Sequence, residues 1–218
     1  YKKAKDLVDK NGWFFARQFE TEDNPNIHEN TTAHEIYEDF KDIGLDYWVS
    51  GYGTGGTFTG VSRYLKQKMP DTKLVLTEPD VAQLVGSKIS QKRNADNSAL
   101  KSHSSWNPHP IQGWTTDFIP YVLQESIDNK YIDELIPVSG DDGIFWANEL
   151  AKKEGIITGV SGGATFAVAV KVAEKAKKNS NILCMLPDTA ERYMSSILFE
   201  NINTEMSVEE LEVFNSTK

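Results

Sequence analysis

The chain has 218 residues, 39% of them hydrophobic and 25% charged, which is enough for one good core or two small ones. Its 23 Lys and Arg are outnumbered by 32 Asp and Glu, for a net charge of −9. No block is strongly basic, which argues against nonspecific nucleic-acid binding and anionic membrane surfaces as partners, since both need cationic patches. The single cysteine, Cys184, leaves no internal disulfide and fits a reducing compartment, the cytoplasm or the inside of an organelle. It lies in the apolar run Ile182-Leu183-Cys184-Met185-Leu186, which predicts a buried, inert thiol. No apolar stretch approaches the roughly 20 residues that cross a bilayer.

In chain order, Tyr1-Lys2-Lys3 carries neither an initiator Met nor the apolar core of a signal peptide and passes at once into helix-like sequence. It reads as a piece of something longer. Trp13-Phe14-Phe15-Ala16 predicts a short aromatic strand. From Thr31, apolar residues at Ala33, Ile36, Tyr37, Phe40 and Ile43 trace one helical face, with Gly44 as its stop. His28 and His34 read as helix-surface residues. Residues 45–50 predict a buried strand; a glycine-rich stretch at 51–56 follows, then a helix through Val61, Tyr64, Leu65 and Met69, then a strand at 73–77. That is one βαβ unit.

Residues 79 to about 120 carry Asn, Ser, Pro and His with little periodicity and predict a long loop with short pieces of structure. A strand is expected at 135–138 and an amphipathic helix at 141–154, closed by Gly155. Gly159-Val160-Ser161-Gly162-Gly163 opens an Ala/Val-rich helix reaching about Lys177, and residues 181–186 predict a last core strand. Ser207-Val208-Glu209-Glu210 has capping-box spacing for a short acidic helix. The alternation predicts an α/β fold: an open, mostly parallel twisted sheet with helices on both faces.

Gly51-Tyr52-Gly53-Thr54-Gly55-Gly56-Thr57 lies between a predicted strand and a predicted helix. Backbone N–H groups converge at a helix N-terminus, where unsatisfied donors and the helix dipole favour an anion. No Lys-Ser or Lys-Thr pair follows, so this is not a P-loop. Gly51-x-Gly53-x-x-Gly56 also satisfies the dinucleotide fingerprint, with Glu78 at a strand end downstream, so an NAD-binding oxidoreductase stays open. Thr54 and Thr57 favour a phosphate monoester, whose terminal oxygens accept from several hydroxyls and amides. Ser161 alone reads as an N-cap. In an open α/β sheet, however, strand C-terminal ends share one edge, so its hydroxyl can face the same crevice as the first turn.

Residues 49–61 resemble the phosphate loop of the cysteine synthases (O-acetylserine sulfhydrylases), pyridoxal-phosphate enzymes of the tryptophan-synthase-β fold. Phe14-Phe15-Ala16-Arg17-Gln18-Phe19, Asn30-Thr31-Thr32-Ala33, His109-Pro110-Ile111-Gln112-Gly113, Gly159-Val160-Ser161-Gly162-Gly163-Ala164 and Leu186-Pro187-Asp188-Thr189-Ala190-Glu191-Arg192-Tyr193 resemble family blocks in family order. The resemblance implies that residues 1–20 end a small N-terminal domain and 21–218 form the large cofactor-binding domain. It implies that Gly53, Thr54, Gly55, Gly56 and Thr57 cradle the phosphate of pyridoxal 5'-phosphate, that Ser161 hydrogen-bonds the pyridine nitrogen, and that Gln18 lies beside the substrate carboxylate. The implied reaction is β-replacement on an amino-acid substrate, O-acetylserine and sulfide giving cysteine and acetate. A neutral serine hydroxyl holds no proton on the ring nitrogen as a carboxylate would, so the ring is a shallow electron sink suited to that chemistry.

The family's Schiff-base lysine and its Thr-Ser-Gly-Asn substrate loop fall upstream of Tyr1. No catalytic residue is therefore expected here, and the isolated chain is expected to be inactive. Lys66, Lys68, Lys88 and Lys101 lie in polar sequence, unsuited to a desolvated nucleophile. A homodimer and a docked serine acetyltransferase tail are further implications, and a noncatalytic tail-binding protein is the remaining alternative. The sequence departs from the family at Gly162, where a second Ser is common, at Trp114, where many relatives have Ile, and in a longer loop over 81–107.

His103 and His109, six apart without a partnering Cys or well-spaced carboxylate, do not make a metal site. Asp188 and Glu191 read as helix-capping residues paired with Arg192 before they read as an acid/base pair. The five Trp, scattered singly, read as core and loop anchors.

Overall fold

Trp48 and Val49 are adjacent and both wholly buried, which a strand allows only when both of its faces are covered. They lie on β1 (Tyr47–Gly51), one of the two inner strands of a parallel sheet with β2 (Lys73–Pro79), β3 (Glu134–Val138) and β4 (Ile182–Cys184), in the order β3-β2-β1-β4. The computed structural model describes residues 2–200 and 203–216, so the opening Tyr1 lies outside the described residues. Trp48 pairs with Leu74, and Val49 with Val75 on one side and Cys184 on the other.

The helices are α1 (Lys2–Asn11), α2 (Asp23–Asn30), α3 (Thr32–Phe40), α4 (Gly56–Lys68), α5 (Tyr121–Asp128), α6 (Gly140–Glu154), α7 (Val160–Ala173) and α8 (Val208–Ser216). One sheet face, through Trp48, Leu74 and Leu76, packs on Ala33 and Ile36 of α3, Phe58, Val61 and Leu65 of α4, and Leu123 of α5. The other, through Val49, Val75 and Val138, packs on Ala147 of α6 and on Val160, Ala164 and Val168 of α7. Trp48 and Phe58 stack with ring centroids 5.3 Å apart.

Local chemistry explains the helix ends. Ser139 caps α6 by accepting from the Asp142 N–H at 3.0 Å, Asp141 and Asp142 sit in its first turn, Lys152 and Lys153 in its last, and Gly155 ends it at φ +68°. The capping box at Ser207 forms as expected: Glu210 N–H donates to Ser207 Oγ at 3.2 Å, and Ser207 N–H to the Glu210 carboxylate at 2.7 Å.

From β1 the chain winds outward to β2 and β3, whereas β4 returns to the other side of β1. The loops leaving β1 and β4 therefore diverge, opening the crevice that such sheets use for ligands.

Several expectations are corrected. Residues 13–16 form no strand, and Trp13 and Phe14 are 60% and 91% exposed, so Trp13 anchors nothing in the described core. Aromatic composition supplies strand propensity, but a strand also needs a neighbour to pair with. β4 spans three half-buried residues at a sheet edge, not a six-residue core strand. α7 stops at Ala173, short of Lys177. α2 and α5 carry no apolar periodicity strong enough to announce them, and form by packing on α4. The 1–20 segment is held to α5 and the loop before it, by the Val122 N–H donating to the Phe19 carbonyl at 3.0 Å and by Phe19 edge-on to Phe118 at 5.1 Å.

Cys184 is half-buried, and burial pushes its thiol up to about 11. Only the thiolate alkylates, so at pH 8 iodoacetamide should modify the folded chain about a hundredfold more slowly than the urea-unfolded chain. Equal rates would contradict this packing.

Candidate functional site

β1 ends at Gly51, and the chain reaches α4 through a turn in which Gly55 takes φ +85°, a left-handed conformation natural to glycine. The N–H groups of Gly55, Thr57 and Phe58 have no partner among the described residues. They are the orphan donors of a helix start, at the positive end of its dipole. Thr54 Oγ1 accepts from the Gly56 N–H at 3.2 Å and from Asn24 Nδ2 at 2.9 Å.

α2 lies directly against this turn. A Cβ on Gly56 would come 1.8 Å from Asn24 Oδ1, and one on Gly60 would come 2.1 Å from the Pro25 carbonyl oxygen. Glycine at both positions is what lets α2 settle onto α4. His28 is not a helix-surface residue as its sequence context suggested: its Nε2 lies 3.1 Å from Thr57 Oγ1 and its Nδ1 3.0 Å from Thr32 Oγ1. Burial lowers its pKa, which favours the neutral ring. His34 instead lies against Tyr64, with ring centroids 4.2 Å apart.

The second turn differs from its sequence reading in one respect. Gly159, not Ser161, is the N-cap of α7. Ser161 is only 4% exposed, and its hydroxyl has no partner among the described residues; its carbonyl accepts from Thr165 Oγ1 at 2.9 Å. Asp188, just beyond β4, accepts from the Gly159 N–H at 3.1 Å and from the Tyr193 hydroxyl. Asp188 therefore caps, as expected. No ion pair joins Arg192 to Asp188 or Glu191 among the described residues; Glu191 is held low chiefly by a hydrogen bond from Thr189, with only a minor contribution from the Arg192 charge.

Gly53, Thr57 and Ser161 line one cavity of about 220 Å³, together with Ser50, Gln112, Gly113, Trp114 and Asp188. Thr57 and Ser161 each belong to the first turn of a helix, so two positive helix ends serve one cavity. A Cβ on Gly53 would come 2.3 Å from the Gly113 carbonyl oxygen, and one on Gly51 would overlap the Trp114 ring at 2.0 Å. Thr54, Gly55 and Gly56 shape the turn without lining the cavity. Gln18 is exposed and does not line it; its carbonyl accepts from Asn24 Nδ2 at 2.8 Å. No lysine among the described residues lines it. A larger hollow of about 430 Å³ lies beside α8, but Met206, Val213, Phe214 and two glutamates line it without converging donors.

Glu78 does not merely end β2. It is wholly buried and accepts from the Tyr52 hydroxyl at 2.9 Å, the Val85 N–H at 3.0 Å and the Gly86 N–H at 2.8 Å. Its carboxylate is committed to folding the loop after β2 and is not free for a ribose, which removes the second residue of the dinucleotide reading. His103 Nε2 lies 3.0 Å from the Ile89 carbonyl and His109 Nε2 3.2 Å from that of Thr115. Among the described residues no group of three His, Cys, Asp or Glu could hold a metal, and no helix is long and apolar enough to cross a membrane.

The donors fit a phosphate-bearing aromatic cofactor: unpaired amides and the Thr57 hydroxyl at one end, and at the other the hydroxyl of the buried Ser161, which has no partner among the described residues. Comparison with known proteins agrees. A family model described as pyridoxal-phosphate dependent enzyme matches residues 1–188. O-ureido-L-serine synthase of Streptomyces lavendulae is 40% identical over 200 residues, 92% of this chain and 56% of the relative. Cysteine synthase A of Salmonella typhi is 36% identical over 213 residues, 95% of this chain and 61% of the relative. The crystal structure of O-ureido-L-serine synthase superimposes with a TM-score of 0.82 at 38% identity, covering 96% of this chain and 60% of that one. The chain thus spans about three fifths of the length of these relatives. It belongs to the pyridoxal-phosphate dependent enzyme family, with the tryptophan-synthase-β-like α/β fold.

Proposed function

We propose that this chain is the cofactor-holding part of a pyridoxal-phosphate-dependent β-replacement enzyme of cysteine-synthase type, converting O-acetylserine and sulfide to cysteine and acetate. The observation that carries the reading is the meeting of Gly53, Thr57 and Ser161 on one cavity served by two helix N-termini. When bound, pyridoxal phosphate supplies the electron sink that lets an amino acid exchange its β-substituent.

In this reading Gly53, the unpaired N–H groups of the turn and the Thr57 hydroxyl hold the phosphate, with Thr54, Gly55 and Gly56 shaping the turn around it. The Ser161 hydroxyl holds the ring nitrogen without adding charge, keeping the sink shallow. Trp114, seated on Gly51, narrows the cavity. Residues 1–20 are assigned to the end of a small domain, with Gln18 carried toward the substrate carboxylate when that domain is complete. A homodimer and a docked serine acetyltransferase tail belong to the same proposal. O-ureido-L-serine formation is a second acceptor chemistry for the same site, supported by the 40% identity to the enzyme of that name.

The chain alone is proposed to be inactive, since no lysine among the described residues lines the cavity. Titration should show saturable binding of pyridoxal phosphate and none of NAD(H). Borohydride reduction followed by peptide mapping should give no stoichiometric lysine adduct. A single stoichiometric adduct accompanied by turnover would refute the inactivity, and preferential NAD(H) binding would refute the cofactor assignment.

A further inference from the structure

We infer that His28 on α2 is a positioning residue that leaves the proton of the Thr57 hydroxyl free for a bound phosphate, while Asn24, one turn earlier, fixes Thr54 in the turn. This rests on the reading that residues 53–57 hold that phosphate. A threonine hydroxyl has two lone pairs and one proton. Unless the lone pairs are engaged elsewhere, the hydroxyl can present either to an anion, and the lone pairs repel it.

At Thr54 both lone pairs are taken, by the Gly56 N–H at 3.2 Å and by Asn24 Nδ2 at 2.9 Å. The Asn24 amide cannot be the other way round, because the same Nδ2 lies 2.8 Å from the Gln18 carbonyl, which only accepts. Thr54 is thereby fixed in the turn. At Thr57 the neighbour is His28 Nε2, 3.1 Å away, while Thr32 Oγ1 lies 3.0 Å from Nδ1. With the Thr32 hydroxyl donating to Nδ1, Nε2 carries the ring hydrogen and donates to Thr57, whose own proton is then free. An anion in the cradle favours this tautomer over the reverse one, in which Thr57 would spend its proton on the ring.

The two side chains share one face of α2 because they are four residues apart. That face reaches the turn because Gly56 and Gly60 let the helices touch. His28 was set aside in the sequence as a surface residue; its spacing from Asn24, with a threonine pair in the glycine turn, is the signal that could have found it.

The test uses the 218-residue chain and two probes, pyridoxal phosphate and pyridoxal, which lacks the phosphate. His28→Leu should weaken pyridoxal phosphate about tenfold, the worth of one hydrogen bond to a charged group, and leave pyridoxal unchanged. His28→Gln, whose side-chain amide can still donate, should recover most of the loss. In a Thr57→Val background, His28→Leu should cost nothing more. Equal weakening of both probes, or full additivity with Thr57→Val, would overturn the inference while leaving the cofactor reading intact. A wild-type chain that binds the two probes equally would overturn both.

Discussion

Gly60→Val should unfold at a markedly lower urea concentration than the parent chain and lose affinity for pyridoxal phosphate at the same time. The added Cβ would lie 2.1 Å from the Pro25 carbonyl oxygen and 2.8 Å from the Glu29 nitrogen, both backbone atoms of α2 that cannot rotate aside. Relief requires α2 to lift from α4. Overpacking of this kind costs about 1–3 kcal/mol, and a branched side chain against backbone belongs at the upper end. Lifting α2 also strains the ion pairs from Arg63 on α4 to Glu22 and Glu29. It draws Asn24 and His28 away from Thr54 and Thr57, which is why stability and affinity should fall together. A variant with an unchanged midpoint would show that the helices do not meet here.

Glu78→Ala should be comparably damaging, by a different route. Three donors converge on this wholly buried carboxylate: the Tyr52 hydroxyl and the N–H groups of Val85 and Gly86. Truncation orphans all three, at about 1–3 kcal/mol for each buried group left unsatisfied, against a total stability of about 5–15 kcal/mol for an ordinary domain. The pH dependence gives a second readout. Burial outweighs the donors and raises the Glu78 pKa, so the folded chain holds this proton more tightly than the unfolded one. Between the ordinary carboxylate pKa and the raised one, its contribution to stability falls as pH rises, and Glu78→Ala should remove that slope. Urea midpoints measured across this range check both points; an unaltered midpoint and slope would contradict the buried network.

The alternation of apolar runs with helical patterning was enough to read a parallel α/β sheet, because a strand covered on both faces must be apolar at successive positions, as Trp48 and Val49 are. The turn at 51–57 was legible for the same kind of reason: glycines and threonines between a strand and a helix can be read locally. Ser161 was legible as a hydroxyl at a helix start, but its cap reading failed, since whether a serine caps depends on backbone angles one or two residues away. The bounds of α2 were not legible, although His28 read as lying on a helix, because Asp23–Asn30 is polar and has only one buried residue, Pro25. Its helicity comes from the surface it lands on.

The amino-acid order by itself therefore determined the class of sheet, the glycine turn as an anion-binding device and the family likeness, all of which follow from residues close together in the chain. Tertiary structure alone decided that Thr57 and Ser161 share one cavity, that Glu78 serves a loop and not a ligand, and that His28 faces Thr57 across 29 positions. The physical reason is that hydrogen-bond partnership is set by distance in space and by which donors burial leaves unpaired, and neither is written in local sequence.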